Sequence, residues 1–167
     1  MKQTVVVFLL LSVFLIGATN RDIGYRYRPV LMKRSELEKS VFIREKQAIG
    51  NPGKIYYKDK TIYLVEKYKG VHVIDNSDPR NPQQTGFINL PGCVDISIKK
   101  NSLYADNAVD LVTVDISNYP IISVTSRVKN VFPELPPPDI DYVPWEFEAS
   151  QRPDSTIIVN WETPGSN

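Results

Sequence analysis

The chain has 167 residues, 42% of them hydrophobic and 23% charged, with a formal net charge of +1. That size suits one domain, the apolar content excludes wholesale disorder, and the balanced charge excludes a basic field able to hold a nucleic-acid backbone. A single cysteine, Cys93, excludes an intrachain disulfide, and 13 prolines against 8 glycines favour loops and turns over long helices.

The N-terminus MKQTVVVFLLLSVFLIGATN places Lys2 ahead of an apolar run from Val5 to Ile16, interrupted by Ser12 and followed by Gly17, Ala18 and Thr19. This is the order of a secretory signal. The run is shorter than the roughly 20 residues of a membrane span. Residues 1–18 are therefore expected to act as a signal peptide or an N-terminal anchor, and the chain to reside in the periplasm or cell envelope. Ala18 stands where the lipid-accepting Cys of a bacterial lipobox would stand, which excludes a thioether there.

A segment over 25–52 follows. SELEKSVF opens with Ser35 and has Glu38 three residues on, the spacing of a capping box. It predicts a short helix from Glu36 to Val41. FIREKQAI reads as extended and GNPG, at 50–53, as a turn. KIYYKD, TIYLVEK, GVHVID and QQTGFINLP then read as four short strands, rich in β-branched and aromatic residues and separated by turn clusters.

The same grammar recurs. YKDKTIY at 57–63 matches IKKNSLY at 98–104, 41 positions on, and VID at 73–75 matches TVD at 113–115, 40 positions on. Residues 53–92 and 93–133 are thus two copies of a four-stranded unit of roughly 40 residues, the period of β-propeller blades. Val73 and Val114 are expected at matching inward positions on the third strands. Residues 25–49 and STIIVNWE are expected to add strands of a third unit. The tail over 134–167 is read as a proline-rich connector, ELPPPDIDYVP, and that terminal strand. The predicted class is all-β: four-stranded antiparallel propeller-type blades forming an incomplete propeller, with one short N-terminal helix.

GVHVID and DLVTVDIS resemble the LVIVD repeat of β-propeller proteins of the bacterial cell envelope, and RPVLMKRSELEKSVF, NPGKIYYKD and YKGVHVIDNSDPRNP resemble the N-terminal part of such proteins from Bacteroidetes-type bacteria. The resemblance covers most of residues 25–161. It implies a blade architecture continued by further repeats, and a lipoprotein of unassigned function. The chain departs from it in lacking the lipid-accepting Cys and in having two clear repeats, which implies a shortened form with open blade faces.

Asp75, Asn76 and Asp78 offer oxygen ligands, but the loop has two prolines and no later bidentate Glu, so turn chemistry explains it better than calcium. Asp95, Asp106, Asp110 and Asp115 form a carboxylate-rich run with no partner base set by spacing. His72, the sole histidine, is expected on one strand face with Ile74, and Cys93 is expected to be a buried thiol. Tyr56, Tyr57, Tyr63 and Tyr68, interleaved with Lys54, Lys58, Lys60, Lys67 and Lys69, form a stripe that would suit a glycan or acidic partner, or else a solvated face with lysines guarding strand edges. No catalytic, cofactor or metal residue is assigned. The expected function is a non-enzymatic envelope scaffold or binding module with a protein or glycan partner, able to self-associate through open blade faces and binding no nucleic acid. The competing reading is an enzyme or carbohydrate-active domain completed by missing blades or a partner.

Overall fold

The computed structural model describes residues 25–165, and the expected signal segment lies outside them. The described chain is mostly β, in antiparallel sheets. In chain order it runs β1 (Arg28–Lys33), α1 (Arg34–Leu37), β2 (Phe42–Arg44), β3 (Pro52–Lys58), β4 (Thr61–Glu66), β5 (Gly70–Asp75), β6 (Gln83–Asn89), β7 (Ile96–Lys99), β8 (Ser102–Asn107), β9 (Asp110–Asn118), β10 (Ile121–Val128) and β11 (Thr156–Glu162). Two 3-10 turns, Trp145–Phe147 and Ala149–Gln151, precede β11.

The four strands expected in each repeat form two separate sheets. β3 to β6 make a meander extended by β2, in the order β2-β6-β5-β4-β3, and β7 to β10 make a second of four strands, β10-β9-β8-β7. The hairpin turns explain the registers. In the first unit Lys58 pairs with Thr61 around Asp59 and Lys60, both at positive φ. That pair of left-handed residues matches the twist of the flanking strands. In the second, Lys99 pairs with Ser102 around Lys100, again at positive φ, and Asn101.

Strand exits repeat as well. Asp75 Oδ1 accepts the Ser77 N–H at 2.8 Å, and Asp115 Oδ1 accepts the Ser117 N–H at 2.9 Å. Thr85 donates its hydroxyl to the Val73 carbonyl at 3.1 Å, and Thr125 does the same to Thr113 at 3.2 Å. The offset falls from 41 to 40 because Glu66 pairs with Gly70 across three residues, whereas Asn107 pairs with Asp110 across two.

One core lies between the sheets. Tyr63, Val65, Val71, Val73 and Ile88 of the first unit meet Ile96, Ile98, Leu103, Ala105, Val112 and Val114 of the second. Cross-strand partners share a sheet face, so the registers show which faces meet. Tyr63 and Val73 point into the core, and their repeat equivalents Tyr104 and Thr113 lie on the second sheet's outer face. Conversely Ile96, Ile98 and Val114 point inward, while their equivalents Ile55, Tyr57 and Ile74 lie on the back of the first sheet. The front of one unit therefore packs on the back of the next. The expected equivalence of Val73 and Val114 is corrected: both are buried in the shared core, but Val73 corresponds to Thr113.

Two other expectations are revised. The helix spans Arg34–Leu37 with Lys33 at its N-cap, and no side chain caps it. Glu38 pairs instead with Lys129, at 2.6 Å. No third unit forms among the described residues: β1 pairs with β11 as a two-stranded ribbon, and β2 joins the edge of the first sheet. Among the described residues the sheets do not close into a ring. The ribbon and helix have their own small cluster, in which Leu37 and Val159 pack on Ala108 at the β8–β9 turn. Buried Asp110 ties that region to the second sheet through Arg34 at 2.7 Å, Arg127 at 2.8 Å and the Asn130 N–H at 3.1 Å.

Candidate functional site: a cleft at the seam of the two sheets

At the end of the sheets bearing the 59–60 and 100–101 turns, the core gives way to a cavity of about 310 Å3. Thr61, Tyr63, Val73 and Thr85 line it from the first unit, and Asn101, Ile116, Ser117 and Tyr119 from the second; Lys58, Asp59 and Asp75 complete it. Val73 and Ile116 give it apolar lining, Thr61, Tyr63, Thr85, Ser117 and Tyr119 bring hydroxyls, and Asn101 brings an amide. Tyr119 reaches over β6 because position 86 is glycine: a side chain there would run into the tyrosine hydroxyl. The Thr85 and Tyr119 hydroxyls stand 3.4 Å apart, so the two units touch across the cleft.

The charges on the rim are only partly paired. Lys58 and Asp59 pair with each other. The Ser77 hydroxyl and N–H hold Asp75 below the ordinary carboxylate range. Burial, reinforced by nearby Tyr119, pushes the Tyr63 hydroxyl above its usual value, so it is a neutral donor and acceptor. That hydroxyl bonds to no group among the described residues, although Tyr63 is only 7% exposed.

The expected site residues fall in several places. Asp75 and Asp78 cap their own turns, Asp78 by accepting the Arg80 N–H at 3.1 Å, and the Asn76 N–H bonds the Lys60 carbonyl at 2.7 Å. Asp106 accepts the N–H groups of Val94 and Asp95 at 3.0 and 2.8 Å; burial nevertheless raises its carboxyl. Asp95 pairs with Lys54 across the seam at 2.8 Å. Asp110 serves the arginine clamp and Asp115 its own turn, so the acidic run is not gathered into one cluster. Among the described residues no group of three or more His, Cys, Asp or Glu side chains is placed to hold a metal ion. Cys93 is buried, and its thiol is pushed well up, first by burial and then by Asp106.

The tyrosine–lysine stripe is not one surface. Tyr56 packs against the core and donates to the Ile98 carbonyl at 2.6 Å, Tyr63 faces the cleft, and Tyr57 is exposed on the back of the sheet. Tyr68 sits in the β4–β5 turn at φ 67°.

His72 shares its face with Ile74 as expected, but its partners lay beyond what spacing could show. Its Nε2 lies 3.1 Å from Glu66 Oε2 and its Nδ1 2.7 Å from Gln84 Nε2, with Phe87 edge-on at 4.9 Å. The amide donating to Nδ1 leaves Nε2–H to donate to the carboxylate. Glu66 also accepts the N–H groups of Gly50 and Asn51 at 3.1 and 2.5 Å, which pins the 45–51 strap over this end of the sheet. Burial works to raise the Glu66 carboxyl, but His72 and the two N–H groups outweigh it and hold it low.

Sequence reasoning also passed over Thr85 and Tyr119. The signal available was the small Gly86 in a strand, which marks close approach of another group.

No family model, curated protein or solved structure matches the chain. Among the described residues no helix is long and apolar enough to cross a membrane. The fold and cleft define a protein of two like antiparallel β units with a polar cavity at their junction.

Proposed function

We propose that the protein is a non-enzymatic binding module of the cell envelope, built like neighbouring blades of a β-propeller and akin to a shortened LVIVD-repeat protein, which takes its ligand in the seam cleft. The observation that carries this reading is the cleft itself. It is made jointly by two repeat units stacked front to back, the way propeller blades stack, and it holds hydroxyl groups that the fold does not use. Binding rather than catalysis is favoured because the buried carboxylates Glu66, Asp106 and Asp110 are engaged by backbone N–H groups or arginines away from the cleft. Export follows from the signal-like N-terminus.

Heteronuclear NMR on the full-length chain in mild detergent, with a fragment set of sugars, amines, carboxylates and short peptides, tests the reading. Shifts confined to Thr61, Tyr63, Thr85, Ser117 and Tyr119 are expected. If no fragment perturbs these residues, or if a bound fragment is chemically converted, the binding-module reading fails.

A further inference from the structure

The chemistry of the seam cleft narrows its ligand. We infer that it binds a neutral saccharide ring, an inference that rests on the binding-module reading and specifies its ligand class.

Charge argues first. The cationic group lining the cleft, Lys58, is paired with Asp59, so an anionic ligand meets no free cation there, and the Asp75 carboxylate, which stays ionised, already accepts from Ser77. The hydrogen-bonding groups left over are neutral. Tyr63, at the inner end, and Thr61 and Asn101, nearer the rim, have hydroxyl or amide groups with no partner among the described residues. The 3.4 Å contact of Thr85 with Tyr119 is long for an O–H···O bond and can open to a ligand at small cost.

These groups both donate and accept. A ligand that satisfies them must also do both at several points around its edge, and sugar hydroxyls do. Its faces must be apolar enough to lie against Val73, Ile116 and the Tyr119 ring, and the C–H faces of a pyranose are. The cavity, at about 310 Å3, is at the small end of the range for small-molecule sites. The same ring could arrive as a free sugar or as a residue of a polymer.

Full-length protein in mild detergent would be titrated with glucose, glucosamine, glucuronate and a linear glucose tetramer, with amide shifts as the readout. Glucose should perturb Tyr63, Thr85 and Tyr119, and glucuronate should bind more weakly because Asp75 faces the cleft and no cation there is free. A tetramer binding tighter than glucose assigns the source to a polymer, and equal affinities assign it to a free sugar. Tyr63→Phe should weaken glucose binding about tenfold while leaving the melting temperature unchanged, since its hydroxyl has no protein partner to lose. Thr61→Val, at the rim, should weaken binding severalfold and serves if Tyr63→Phe does not fold.

If other fragments perturb the cleft and no sugar does, the saccharide inference falls and the module reading stands. If nothing perturbs the cleft, both fall. Sugar binding indifferent to both substitutions would also overturn the assignment to this cleft.

Discussion

Val73 and Thr113 hold the same place in successive sheets and face opposite ways relative to the core. Each offers its carbonyl to a threonine hydroxyl on the next strand, Thr85 or Thr125. Val73 is 2% exposed against the second sheet, whereas Thr113 lies on that sheet's open side. A sandwich related by a two-fold axis would bury both. Front-to-back stacking buries one and leaves its twin on the open side of the second sheet.

This asymmetry predicts unequal mutational costs. Val73→Asp puts an unpaired carboxylate into the inter-sheet core and should cost about 3 kcal/mol or more. Thr113→Asp should cost less than about 1 kcal/mol, because water still reaches it. Thermal or urea melts of the two variants check this, and equal losses would refute the stacking sense.

Asp110 makes the fold acid-sensitive. Burial pushes its carboxyl up, but the bonds from Arg34 and Arg127 win and lower it below the ordinary value. The folded value is thus below the unfolded one, near 3.9. The stabilisation is present above the unfolded value and is lost as pH falls through the folded one. Asp110→Asn should cost about 2–3 kcal/mol at pH 7, leaving two partly buried guanidinium groups without their counter-charge. Its stability should also fall less between pH 5 and pH 2 than that of the wild type. Parallel slopes in melts across that range would remove Asp110 as the cause.

Glu66 should act locally on the strap. Glu66→Ala frees the N–H groups of Gly50 and Asn51 and strips His72 of its acceptor, at a cost of about 2–4 kcal/mol. Hydrogen exchange should show Gly50 and Asn51 losing protection while Val112 and Val114 keep theirs. Unchanged exchange at 50–51 would mean that other contacts hold the strap.

Self-association should proceed through the exposed apolar side chains on the outer faces. Ile55 and Tyr57 on the back of the first sheet are 64% and 59% exposed, and Val128 on the front of the second is 51% exposed. Light scattering on the full-length protein in detergent should show mass rising with concentration, and Ile55→Lys with Tyr57→Lys should suppress the rise. A wild-type mass that stays monomeric up to about 1 mM would exclude these faces as contacts.

Local patterns explain why so much of the β structure could be read in advance. GVHVID and TIYLVEK carry runs of strand-forming residues closed by turn residues, and each became the strand its composition predicted. Asp75 and Cys93 were legible for similar reasons, one from turn chemistry two residues away and the other from apolar neighbours. The capping box was not, because the chain turns from β1 into the helix earlier and Glu38 gains a better partner in distant Lys129. The tyrosine stripe failed because adjacent strand residues point to opposite faces, so neighbours in sequence were parted by the sheet.

The sequence by itself determined the β-rich class, the four strands of the first sheet and the turns at KDK and NSDPRNP, since all of these depend on residues a few positions apart. Only the tertiary structure decided which face of each sheet is buried, that β1 pairs with β11, and that Tyr63 meets Thr85 and Tyr119 at one cleft. Those outcomes depend on register and stacking between segments tens of residues apart. Alternation marks two faces on a strand, but it does not say which face the neighbouring sheet will cover.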